Sequence, residues 1–184
     1  MRARAAIAVF KVIPCKPLRL LLDFYTSIFR GVPLIVLLFI AYFATPQLTG
    51  YKITMFAASV LTLGLNGSAT VSETVRGGIE GVDRGQYDAS RALGLSYITM
   101  MSKVIIPQAL RSVAPALVNE VITVLKSSSL VATIGLMDMM RAAQSVQAIT
   151  YRAFEPFIVV AIVYYVIVMG LVAVANRLEC RMRA

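Results

Sequence analysis

Three stretches without a single charged residue, 31–50, 53–72 and 156–175, constrain this chain more than anything else in it. Each is 20 residues long, about the length a helix needs to cross a hydrocarbon core. A fourth stretch, 112–137, is equally apolar but carries Glu120 and Lys126. The pattern predicts an all-α integral membrane protein with about four transmembrane helices. The first should begin nearer Leu18, because Leu18, Leu20, Leu21 and Leu22 lead into it. Composition agrees. Charged residues make up 15% of the chain and hydrophobic residues 59%, against about 25% charged in soluble domains; disorder needs low hydrophobicity and is excluded as well.

The same inventory removes several chemistries. There is no histidine, and the cysteines are Cys15 and Cys180 alone. A disulfide framework, a zinc site and a His-based catalytic triad are therefore excluded, and no metal or catalytic residue is assigned. No Gly-Lys dipeptide occurs, so the chain has no phosphate-binding loop of the G-x-x-x-x-G-K-[ST] type.

The net charge of +9 sorts by segment. Thirteen of the 18 cations fall in the N-terminal segment, the connection between the second and third spans, and the C-terminal tail. Three fall in the other two connections, as Lys52, Arg141 and Arg152. Lys and Arg collect on the cytoplasmic side, which predicts that both termini and the central connection are cytoplasmic. The charge is then a topology signal rather than a nucleic-acid footprint, since no basic run interleaved with aromatics accompanies it. Both cysteines fall on the reducing side and are expected as free thiols. Residues 1–184 read as one transmembrane domain. Within it, 1–17 is a cytoplasmic N-terminal segment or helix remnant, its apolar core at 5–10 too short for a signal peptide.

The central connection, 77–111, reads as structure. Asp83 can cap a short helix through Gln86, Ala89, Ala92 and Leu93, and Gly94 suits the left-handed position that ends it. Ser96 can cap a second helix with Tyr97, Met100, Met101, Val104 and Ile105 at helical spacing, which Pro107 stops or restarts. Such a projection can receive a push from a soluble partner; an inert connector fits the pattern equally well.

Charges inside spans need a reason, because one at mid-bilayer costs about 2.5–3.5 kcal/mol on insertion scales. Lys126, followed by Ser127, Ser128 and Ser129, is a candidate gate or pathway residue at a local helix break, or half of an ion pair with Glu73 or Glu120. Glu73 and Arg76 can pair at i,i+3. Arg30 should lie inside the cytoplasmic half of the first span, or snorkel out of it. Asn66, Ser68, Thr70 and Asn119 can hydrogen-bond between helices or contact a zwitterionic solute, with helix–helix bonding the simpler role. Tyr42, Tyr51, Tyr151, Tyr164 and Tyr165 suit an interfacial belt or packing; Met137, Met139 and Met140 suit packing or a dimer surface.

The central connection also carries a family resemblance. Residues 85–96, Gly-Gln-Tyr-Asp-Ala-Ser-Arg-Ala-Leu-Gly-Leu-Ser, followed by Val104-Ile105-Ile106-Pro107, resemble the EAA loop of ABC importer permeases. Asp88 stands for the Glu and Ser90 for the second Ala, while Gly94 and Pro107 match in type and spacing. Phe29-Arg30-Gly31-Val32-Pro33-Leu34, Ser72-Glu73-Thr74-Val75-Arg76-Gly77-Gly78-Ile79 and Leu125-Lys126-Ser127-Ser128-Ser129-Leu130 resemble the polar amino acid branch, which includes histidine, glutamine, arginine and opine permeases. The resemblance implies a non-enzymatic transport subunit in a bacterial inner membrane. Asp88, Ala89, Ser90, Gly94 and Pro107 would form the surface that couples to cytoplasmic ATPase subunits, which bind the ATP. A second permease subunit, identical or a sister, and an extracytoplasmic solute-binding protein would complete the transporter. Arg30, Glu73, Asn119, Lys126 and Ser129 would be the translocation candidates. The family norm is five transmembrane helices, and this chain starts near where the first would end. From the residues alone a non-energised channel or carrier, or an accessory membrane scaffold, stays open.

Overall fold

A computed structural model describes residues 16–183, all of whose regular structure is helical. In chain order the elements are α1 (Lys16–Gly31), α2 (Leu34–Thr49), α3 (Met55–Glu80), α4 (Arg84–Ala92), α5 (Tyr97–Ile134), α6 (Met139–Thr150) and α7 (Phe154–Arg183). Cys15, the Cys180 side chain and nearly all of the 1–17 segment lie outside the described residues. Helices α3 and α5 and the Phe154–Arg177 part of α7 are each long and apolar enough to cross a bilayer. These correspond to three of the four expected spans.

The remaining span differs from the expectation of one helix starting near Leu18. A helix does begin there, but Leu20–Gly31 and Leu34–Thr49 meet at 104°. Pro33 is the cause. It has no N–H to give to the carbonyl of Phe29, and its ring pushes Val32 out of the helical region. The chain turns at Val32 and restarts with Pro33 at φ −55°, ψ 136° as the cap of α2. Arg30 therefore sits in the last turn of α1, just before the bend and not within one straight helix. Helix α1 keeps an exposed apolar side in Leu20, Leu21 and Phe24.

Two other prolines are absorbed without a break. Pro46 and Pro107 each open an α-helical segment that follows directly on a five-residue π turn, Ile40–Ala44 and Met101–Ile105 respectively. A π turn bonds i to i−5, which suits a place where the i−4 bond cannot form. Pro107 was expected to stop one helix or restart another. Instead Tyr97–Ile134 runs on as one helix of 38 residues, with the presumed second short helix as its first turns.

The spine is the antiparallel pair α3 and α5. The face of α3 that is buried is lined with small residues: Ala58, Ser59, Thr62, Gly67, Ser68, Ala69, Ser72 and Gly78. Lipid supplies no hydrophobic force between helices, so close backbone approach and hydrogen bonds do the work. The approach is tightest at Gly78, where an added Cβ would overlap Val113 and stand 3.2 Å from the Ala109 carbonyl. Below it lies a cluster of Val75, Ile79, Met100, Met101, Ile105 and Ala109, all buried. Helix α7 is the opposite: Phe154, Val159, Ile162, Tyr165 and Val166 are all exposed, as a surface turned to lipid or to a neighbouring subunit would be.

Candidate functional site

The site at the central connection is built on α4. Asp83 caps it, its Oδ1 accepting from the Gly85 N–H at 2.6 Å. It ends as the glycine predicts. Gly94 has φ +72°, its N–H donates to the Arg91 carbonyl at 2.9 Å, and the Leu95 N–H donates to the Ser90 carbonyl at 3.1 Å. This pair of bonds closes a helix with a left-handed residue. Ser96 caps α5, its Oγ accepting from the Thr99 N–H at 3.3 Å.

With both ends fixed, α4 has an outer and an inner face. Asp88, Ala89, Arg91 and Leu93 are exposed, as is Gly94. Ser90, expected on the same docking face, points the other way. It is 4% exposed, and its hydroxyl donates to the Gln86 carbonyl at 2.7 Å. Two residues after Asp88 on a helix is about 200° around the axis, so Asp88 and Ser90 cannot share a face. Pro107 is exposed inside α5, beyond α4 itself. On the inner side the Tyr87 hydroxyl donates to the Ile79 carbonyl at 2.9 Å, and Gln108 Nε2 donates to Gln86 Oε1 at 3.3 Å. Burial raises the Tyr87 pKa, with smaller contributions from Tyr97 and Glu80, so the hydroxyl stays protonated as a donor. A hollow of about 670 Å³ beside it is lined by Glu80, Arg84, Asp88 and Arg91, which gives the outer face both signs of charge.

Higher on α3 lies a charge network. Glu73, its side chain 12% exposed, accepts from Arg76 at 3.0 Å (Nε) and 2.7 Å (Nη2), and lies 3.7 Å from Arg30 Nη1. Arg76 Nη1 also donates to both oxygens of Glu80, at 2.8 and 2.9 Å. The expected Glu73–Arg76 pair is therefore present, and Arg30 joins it from α1. Among the described residues, Arg30 and Arg76 both face the largely buried Glu73 carboxylate and compensate its charge. The same stretch of α1 is stitched to α3 by neutral bonds. The Tyr25 hydroxyl donates to the Leu65 carbonyl at 2.7 Å and also bonds Ser68 Oγ. Asn66 Nδ2 donates to the Phe29 carbonyl, the very acceptor that Pro33 leaves without its helical donor. Asn66 and Ser68 thus bond between helices, the simpler of the roles expected for them.

The other candidates lie on α5. Gln108, Ser112, Asn119, Thr123 and Lys126 are all exposed and recur at helical spacing along one side. Asn119 and Lys126 are about 10 Å apart along the axis. An exposed stripe of this polarity is unsuited to lipid and belongs against water or protein. The local break expected after Lys126 is present as a tightening: the helix becomes 3₁₀ over Ser128–Ile134 and ends at Gly135 with φ +91°. Ser129 is turned into its own backbone, donating to the Lys126 carbonyl at 2.8 Å. The translocation candidates thus form two groups, Arg30 with Glu73 at the α1–α3 junction and Asn119 with Lys126 on α5.

Residues 6–184 match the family described as binding-protein-dependent transport system inner membrane component. The chain belongs to that family. An arginine transport system permease protein of Bacillus subtilis is 43% identical over 97% of this chain and 81% of its own length. A putative glutamine transport system permease protein of Rickettsia bellii is 44% identical over 94% and 79%. Among solved structures, an amino acid ABC transporter crystallised with histidines superposes with a TM-score of 0.91 at 40% identity, over 97% of this chain and 83% of that one. An inward-facing methionine transporter shares the fold at a TM-score of 0.73 and 21% identity. As a member of this family the chain is a multi-pass inner-membrane permease subunit of an ABC importer. It is not itself an enzyme; ATP hydrolysis belongs to a separate subunit.

Sequence reasoning missed three features of the permease. Tyr25 carries no signal beyond its place in α1. The Arg30–Glu73 link joins residues that no local spacing relates. Helix α6 had a signal that went unread: Asp138 caps it, Oδ1 accepting from the Arg141 N–H at 2.8 Å, and Met139, Ala143 and Val146 follow at helical spacing.

Proposed function

We propose that this permease subunit imports polar amino acids or related compounds, with α4 as the element that receives the ATPase stroke. The observation that supports this best is the construction of α4. Its outer face is exposed, both its ends are capped, and its inner face is bonded to α3 and α5. A partner that pushes Asp88 and Ala89 moves both long helices. Gly94 holds the sharp turn beside them, and the π turn before Pro107 lets the following helix run on past it. The names of the relatives, arginine and glutamine permeases, support a polar amino acid as solute.

In this reading ATP is bound by cytoplasmic ATPase subunits, one engaging each permease subunit of an identical or sister pair. An extracytoplasmic binding protein delivers the solute. Both termini lie in the cytoplasm, as the cation bias predicts. The solute passes between α2, α3 and α5, where Asn119, Lys126 and Ser129 line the α5 side and the Arg30–Glu73 pair guards the cytoplasmic exit. Lys126 can receive a solute carboxylate, and the Asn119 amide can serve as donor or acceptor.

The test is co-purification with the cognate ATPase, followed by uptake in proteoliposomes. Gly94→Val puts a β-branched residue at φ +72°, a strain of about 1–2 kcal/mol. It should abolish ATPase association and uptake while leaving the permease in the membrane. Retention of both activities would refute α4 as the coupling element. Lys126→Met should lower uptake while leaving ATPase association intact.

A further inference from the structure

The coupling surface explains where a partner docks, but not how α4 is held at one angle to the helix it must move. Among the described residues, two direct side-chain hydrogen bonds run from α4 to the helices beneath it. The Gln86–Gln108 contact is exposed and 3.3 Å long. The Tyr87 bond is half-buried and 2.9 Å long. Its acceptor is one of the last carbonyls of α3, where the regular i+4 donor has run out. The Ile79 carbonyl otherwise takes a longer bond, 3.3 Å, from the Val82 N–H. The Tyr87 ring meanwhile packs against the cluster of Val75, Ile79, Met100, Met101, Ile105 and Ala109. Ring and hydroxyl thus have separable roles: the ring supplies burial, the hydroxyl supplies direction.

The acceptor's position gives the hydroxyl its consequence. Ile79 is 2% exposed and adjoins Gly78, where α3 is locked against Val113 of α5. Six residues further up the same helix is Glu73, with Arg30 and Arg76 around it. A helix is stiff over this length, about 9 Å. A rotation of α4 transmitted at Ile79 therefore arrives at the charge network without a flexible link between.

We infer that Tyr87 is a positioning residue whose hydroxyl latches the coupling helix to the end of α3, so that loss of the hydroxyl uncouples ATP hydrolysis from transport without releasing the ATPase. The inference rests on the reading of α4 as the coupling element. It assigns to an inward-facing residue a role distinct from the docking face.

The experiment uses the complete transporter, with permease, ATPase and binding protein in proteoliposomes, and compares wild type with Tyr87→Phe. ATPase association should match wild type. Solute imported per ATP hydrolysed should fall about fivefold, the equivalent of one neutral hydrogen bond. A second measurement needs the purified permease alone. With Cys15 and Cys180 replaced by Ser, spin labels at Gly77 and Arg84, both exposed, should give one narrow distance distribution in the otherwise wild-type chain and a broadened one in Tyr87→Phe. Wild-type import per ATP in Tyr87→Phe overturns the latch, as does an unbroadened label distance. Loss of ATPase association in Tyr87→Phe also overturns it, since the residue would then act in docking. Failure of the wild-type chain to bind the ATPase at all overturns the coupling reading itself, and that arm is read before any variant.

Discussion

The two ends of this permease are built on different principles. At the end that carries α4, Ile79, Ile105 and Ala109 are 2%, 0% and 0% exposed, α4 is capped at both termini, and side chains tie it inward. At the other end, α6 and α7 meet along an apolar groove of about 550 Å³ between Ala143 and Val146 on one side and Val159 and Val163 on the other. Ile149 and Tyr151 there are 79% and 93% exposed. The chain completes its own core beneath α4 and leaves the α6–α7 end largely exposed. Rigidity beneath α4 is what the proposed coupling role requires, whereas an exposed apolar helix such as α7 suits surroundings that are themselves apolar.

That contrast can be broken most forcefully at its tightest point. Gly78→Leu should force α3 and α5 apart, at a cost of about 3 kcal/mol or more, and the detergent-solubilised permease should lose its thermal unfolding transition. Gly170, with nothing within 4 Å of an added Cβ, should accept the same substitution with an unchanged melting curve. Equal losses at the two glycines would end the distinction.

A smaller effect is expected where α1 turns into α2. Asn66→Ala leaves the Phe29 carbonyl without a donor and should cost about 1–3 kcal/mol. Pro33→Ala restores a backbone N–H within reach of the same carbonyl. In a double-mutant cycle followed by denaturant unfolding, the Asn66→Ala penalty should therefore shrink in the Pro33→Ala background. Full additivity would mean that the two residues do not serve one acceptor.

The charge network offers a third contrast. Glu73→Gln removes a mostly buried carboxylate from between two arginines and should cost about 1–3 kcal/mol. Glu80, its side chain 55% exposed, should cost less than about 1 kcal/mol when changed to Gln. Thermal melts of the two variants side by side would check the ranking.

The smallest effect belongs to the open end. Val159→Ala should change the stability of the isolated permease by no more than about 0.5 kcal/mol. A clearly larger loss in the assembled transporter, read by its subunit dissociation temperature, would mark the groove as a subunit contact.

What the sequence revealed divides along physical lines. Membrane helices were legible because burial in lipid imposes long uncharged runs, as in 156–175 within α7. The ends of α4 were legible because Asp83 and Gly94 act on their own backbone. The bend beside Arg30 was not legible, because a proline's local chemistry tells that a helix is perturbed, not by what angle. Ser90 was assigned to the wrong side because a motif specifies residue types, whereas the face follows from the helical offset of about 200° between Asp88 and Ser90. The Arg30–Glu73 contact spans two helices and has no local signature.

The bond between Asn66 and the Phe29 carbonyl also has a consequence for biogenesis. Its partners lie 37 residues apart, so at about 5–20 residues per second the donor is synthesised about two to seven seconds after the acceptor. Until then the Phe29 carbonyl lacks the side-chain donor that ties the corner to α3. Pro33 makes the bend locally, but its tie to α3 can close only once α3 has arrived beside it.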